Sequence, residues 1–88
     1  MHAAARQGSL EAVNSLINAG ANINLSDVHG QTPLHIAAER GSREIVKALI
    51  DEGAKVDQPT TSGTISLYIA AQKGYVEVIK ALIAEGAI

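Results

Sequence analysis

Apolar and polar residues alternate along this chain with the period of an α-helix, and the same register returns three times. Leu10, Val13, Leu16 and Ile17 stand at i, i+3, i+6 and i+7, which gathers them on one face of a helix running from Ser9 to about Ala19. Ile45, Val46, Leu49 and Ile50 do the same for a helix from Ser42 to about Glu52, and the run from Tyr75 to Ile83 follows suit. A shorter alanine-bearing segment precedes each of these: His2 to Gln7, Thr32 to Arg40, and Ile69 to Lys73 with the residues before it. Gly8, Gly41 and Gly74 separate the members of each pair, and Gly20, Gly53 and Gly86 close the pairs, successive members of both series lying 33 positions apart. Glycine at such points ends a helix in a left-handed residue. The pattern predicts an all-α chain of three pairs of short antiparallel helices, with Ala37 and Ala38 small enough for a neighbouring helix to lie close.

Between the pairs the signals are those of turns. Asp27-Val28-His29-Gly30-Gln31 leads into Thr32-Pro33, where Thr32 can cap a helix and Pro33 suits the first helical position because its missing N–H costs nothing there. One unit later Thr60, Ile65, Ser66 and Tyr68 replace Asp27, Thr32, Pro33 and His35, so Thr64 or Ser66 is expected to substitute as the cap and this turn to be the softer one. The chain thus divides, as a single domain over 1–88, into a partial repeat (1–25) whose first helix starts uncapped, a full repeat (26–58) and a nearly full repeat (59–88). Each helix pair has an apolar face too wide to bury alone, so neighbours must stack, and roughly three units are needed. With no polar terminal unit, Met1, Ala4 and Val13 at one end and Ile69, Ile79 and Ile83 at the other are expected to form exposed apolar surface. The chain reads as an excerpt of a longer array; alternatively, self-association joins its uncapped ends to another copy in a dimer or filament.

Composition narrows the function classes. Of 88 residues 47% are hydrophobic but only two are aromatic, both tyrosine, which suits thin stacked layers better than one core needing bulky fillers. With no cysteine there is no disulfide framework and no thiolate site. A net charge of −2 argues against a nucleic-acid partner, and no apolar run approaches the ~20 residues that span a membrane. The start, Met1-His2-Ala3-Ala4-Ala5-Arg6, lacks the order of a signal peptide, so the expected setting is intracellular, in the cytoplasm.

A 33-residue unit bearing Thr32-Pro33-Leu34-His35-Ile36-Ala37 resembles the ankyrin repeat, and the middle unit matches that family's pattern from Asp27 through Gly53-Ala54 at almost every fixed position. The resemblance implies an ankyrin-repeat solenoid of stacked antiparallel helix pairs with projecting β-hairpin turns. It also implies a concave face, formed by hairpin tips and first helices, that binds another protein. Asn24 sits where family members are hydroxylated, although Asp57 holds the matching position in the next unit.

No enzymatic site is assigned. His2, His29 and His35 are the only histidines, and His2 and His35 fall in successive layers ~8–10 Å apart, too far for one zinc at about 2.0–2.1 Å from each nitrogen. His35 is better read as tying Thr32 to nearby turn backbone, with Tyr68 a poorer replacement, and Asp27 as a turn-fixing acceptor. No nucleophile–base pair, phosphate loop or carboxylate pair is visible, and no cofactor is implied. Positions that repeat in kind are occupied with holding the layers together; those that vary on the open face are free to recognise a partner. These are Val28, His29 and Gln31 at one hairpin, Thr61, Ser62 and Thr64 at the next, and Arg6, Gln7, Glu39, Arg40, Gln72 and Lys73 at the ends of the first helices. The cations in the last group favour a partner segment of acidic character, although helix C-termini favour cations in any case. The alternative function is a structural spacer within a longer array, with partner contacts elsewhere.

Overall fold

In a computed structural model, residues 1–85 are described; Gly86, Ala87 and Ile88, and with them the last member of the second glycine series, lie outside the described residues. Six helices follow in order among the described residues: α1 (His2–Gln7), α2 (Leu10–Asn18), α3 (Pro33–Arg40), α4 (Arg43–Asp51), α5 (Ser66–Lys73) and α6 (Val76–Ala84). They stand in two rows, α1, α3 and α5 side by side in one and α2, α4 and α6 in the other, and within each pair the two helices also touch.

Local chemistry accounts for the helix ends. Gly8, Gly41 and Gly74 take φ of 75°, 73° and 73° and donate back to paired alanine carbonyls, Ala4 and Ala5, Ala37 and Ala38, Ala70 and Ala71 respectively. This left-handed stop reverses the chain and sets each second helix antiparallel to the first. The Ser9 hydroxyl accepts from the Ala12 N–H at 3.1 Å and starts α2, whereas α1 begins at Met1 without a side-chain cap. At α3, Thr32 and His35 cap each other: the Thr32 side chain faces the His35 N–H, and His35 Nδ1 accepts from the Thr32 N–H at 3.0 Å. The expected substitute cap at α5 does not form. Ile65 occupies the cap position with no side-chain bond, the Thr64 hydroxyl turns to Ser62, and Ser66 lies buried as the first helical residue.

The core follows from the stacking. Flanked on both sides and backed by α4, α3 buries Pro33, Leu34, His35, Ile36, Ala37 and Ala38, while α4 buries Ile45, Val46, Leu49 and Ile50. The ends depart from expectation. Ala4 and Val13 are buried rather than exposed, because α3 and α4 cover that side of the first pair. The apolar surface left there belongs to Leu10 and Leu16, both expected to face inward. Met1, Ile69 and Ile79 are half-buried, and only Ile83 of the six is exposed. On the outer row, Glu77 lies 3.7 Å from Lys80 and 3.8 Å from Arg43 of the neighbouring helix. Glu44 and Lys47, also three positions apart on α4, form no ion pair among the described residues. Exposed pairs of this kind contribute little.

The connecting turns project as hairpins, Asp27–Gln31 and Thr60–Thr64, each closed by an N–H to carbonyl bond between its ends at 2.9 and 2.8 Å. They are too short for a ladder, and no strand forms among the described residues. Gly30 sits where these hairpins meet: a Cβ there would lie 2.6 Å from the Thr61 backbone nitrogen, while one at Gly63 would meet nothing within 4 Å. Both have positive φ, so alanine at either should cost about 1–2 kcal/mol for conformation alone. Gly30→Ala should lower the urea midpoint well beyond Gly63→Ala, since it alone must force two backbones apart; equal losses would contradict the close hairpin approach.

Candidate interaction surface

The two hairpins reach the same shape by different chemistry. In the first, one carboxylate oxygen of Asp27 accepts from the His29 and Gln31 N–H groups, both at 2.9 Å. The Gln31 bond is the main cause holding this carboxyl below its ordinary range. In the second, the Thr60 hydroxyl accepts from the Thr64 N–H at 3.2 Å and continues through Ser62 at 3.0 Å to Thr64 at 3.3 Å. A neutral hydroxyl thus does part of the work of a charged, two-fold acceptor, and charge-assisted bonds are the stronger kind.

Side chains then tie each unit to the next. His2 donates from Nε2 to the Gln31 carbonyl at 2.9 Å, and one unit on His35 donates to the Thr64 carbonyl at 3.1 Å. His35 is almost wholly buried, and with Nδ1 accepting from Thr32 it must be neutral, protonated at Nε2. Burial pushes its pKa below the ordinary value, against the opposing pull of the Thr64 and Gln58 backbone and the Asp27 charge. Tyr68, in the corresponding place, is exposed. The Thr61 N–H and hydroxyl both donate to the His29 carbonyl, at 3.1 and 3.0 Å. Asn24 accepts from the Lys55 N–H at 2.9 Å and reaches the Gly53 carbonyl at 3.4 Å, and Gln58 donates to Ser26 at 3.0 Å. Asn24 therefore has a structural task at the junction.

These ties hold the hairpins and the ends of α3 and α5 around an open groove of about 700 Å³. Its walls include His29, Gln31, Glu39, Thr61, Ser62, Thr64, Gln72 and Lys73 of the sequence-derived set, together with Thr60 and Ile69. Thr60 went unmarked because its alignment with Asp27 assigned it to the turn, and Ile69 because it was assigned to an apolar end. Arg6, Gln7, Val28 and Arg40 do not line the groove. Arg6 and Gln7 are exposed at the end of α1, Val28 is 88% exposed at the hairpin tip, and the Arg40 guanidinium lies over Gly8, 3.3 Å from where a Cβ would stand. A second, smaller depression of about 410 Å³ lies on the opposite row between α4 and α6, floored by Ile50, Ala81 and Ala84 and rimmed by charged residues.

The family model described as ankyrin repeats, three copies, matches residues 1–88, the whole chain. The chain belongs to the ankyrin-repeat family. Comparison with curated protein sequences returns no match. Ankyrin repeats are in general protein-interaction modules and are typically non-enzymatic. In this ankyrin domain the described residues hold no cluster of three metal-ligating side chains and no helix long and apolar enough to cross a membrane.

Two measurements test this geometry. The folded ankyrin domain keeps His35 neutral while the unfolded chain takes up a proton near pH 6.5, so this group's contribution to stability is complete above that pH and falls as the pH drops below it. The urea midpoint should therefore be lower at pH 5.5 than at pH 7.5, and His35→Gln should flatten that dependence; an unchanged slope would remove His35 from the account. Thr60→Asp, by restoring a charged acceptor for two N–H groups, should stabilise the domain by about 1 kcal/mol, read as a raised melting temperature.

Proposed function

We propose that this ankyrin domain binds a segment of another protein in the groove between its hairpins and the ends of α3 and α5. The arrangement of eight polar or charged side chains around one open groove supports this reading. Their side chains are mostly uncommitted to the fold: Gln31 uses only its backbone to bond Asp27 and His2, and Gln72 and Lys73 are exposed in the last turn of α5. Hydroxyls and amides line the walls, Glu39 and Lys73 supply one charge of each sign, and Ile69 supplies the apolar contact. Such a lining suits an extended polypeptide, whose amide groups can pair with it, better than a compact apolar molecule. Lys73, at the C-terminal end of α5, offers a cation to an acidic side chain of the partner.

The test is capture from a lysate of the source cells, with the wild-type chain and two variants as bait. Gln31→Ala with Gln72→Ala and Lys73→Ala should weaken the captured partner's affinity by about 10- to 100-fold, since a few central residues carry most binding energy. Lys47→Ala with Lys80→Ala, on the opposite row, should leave it unchanged. Undiminished capture by the groove variant would refute the assignment.

A further inference from the structure

The depression between α4 and α6, on the side of the domain away from the hairpins, has its charges sorted by sign. The two helices run in the same direction: Arg43, at the start of α4, lies 3.8 Å from Glu77, near the start of α6, and Asp51 and Glu85 line the far end. From helix starts to helix ends, Arg43, Lys47 and Lys80 come first, set against one acid, Glu77; the floor of Ile50, Ala81 and Ala84 follows, and Asp51 and Glu85 stand last. This order opposes the helix dipoles. Arg43 is the first residue of α4, Asp51 its last, and Glu85 caps the end of α6, each where the dipole disfavours its sign. Nor does the repeat require it: Leu10, Asn14 and Asn18, one unit before Arg43, Lys47 and Asp51, carry no charge. Glu77 is shared between Arg43 and Lys80, whereas Lys47, Asp51 and Glu85 form no ion pair among the described residues.

A stripe that is cationic at one end, apolar in the middle and acidic at the other is complementary to itself turned end for end. We propose that two copies of this chain pair about a two-fold axis on this face, α6 of each lying antiparallel in the groove between α4 and α6 of the other. Ala81 and Ala84, three apart on α6, leave room there for a second helix. With Ala81 set against the partner's Ala84, Lys47 and Lys80 come opposite the partner's Glu85, and Asp51 opposite the partner's Lys80. The same patch serves both copies, so the contact is isologous and closes at two. Two nine-residue helices give a contact only ~13 Å long, so the pair is a weak one and sensitive to salt. The face is the flank of two adjoining units, not an end of the stack, and it shares no residue with the hairpin groove, so this inference stands apart from the proposed function.

Sedimentation equilibrium from about 10 µM to about 1 mM tests it. The wild-type mass should rise with concentration and level off at twice that of the monomer, and raising NaCl from about 50 to about 500 mM should weaken the association. Lys47→Glu with Lys80→Glu makes the stripe acidic throughout, and Asp51→Lys with Glu85→Lys makes it basic throughout. Each double variant alone should associate at least about tenfold more weakly, because like charges then face each other. An equimolar mixture of the two should recover a 1:1 dimer at least as tight as the wild type's. All four side chains are exposed, and far-UV circular dichroism checks that helix content is kept. A wild type that stays monomeric throughout would overturn the pairing and leave the face to a different protein. A mass that climbs past the dimer, double variants that associate as the wild type does, or a mixture that stays monomeric would overturn it equally.

Discussion

Neighbouring units approach so closely at the hairpins that no side chain fits at Gly30, whose Cβ would stand 2.6 Å from the Thr61 nitrogen. That contact sets the spacing of everything else. With the hairpins in register, His35 reaches the Thr64 carbonyl, Thr61 reaches the His29 carbonyl, and α3 is enclosed by α1 and α5 on its two sides. None of these helices could persist alone at six to nine residues, well below the ~12–15 at which isolated helices become even marginal. Their stability is a property of the interfaces between units rather than of any unit.

His35 joins the local and the non-local halves of that arrangement. One ring nitrogen closes the cap of its own helix on Thr32, and the other holds the hairpin of the following unit. Since the two bonds demand one neutral tautomer, a single imidazole links helix initiation to stacking. Where the chain departs from this device, at Tyr68, Ile65 and Thr60, the helix is uncapped by any side chain and the hairpin leans on a chain of hydroxyls.

The division of labour among polar residues follows from the same geometry. Asn24, Gln58, Thr60 and Thr61 spend their side chains on bonds within a hairpin or across a junction. Gln31, Glu39, Gln72 and Lys73 stand on the same open face without such bonds among the described residues. A surface of this kind can change the side chains it presents freely, because the backbone that carries them is secured by others.

From residue order alone came the helices, their glycine stops, the Thr32–His35 tie and the 33-residue register, because all of these rest on local periodicity and on interactions within a few positions. Much of the groove was legible for the same reason: the side chains that vary against a repeating background could be recognised without coordinates. Stacking decided the rest. Val13 is buried and Leu16 is not, although both belong to one helical stripe, because among the described residues α2 has a neighbouring unit on one side only. Arg40 left the groove for Gly8, and Thr61 was claimed by the His29 carbonyl, through contacts between residues about one repeat apart. Such contacts depend on how two near-identical surfaces meet in space, which no pattern within a single unit contains.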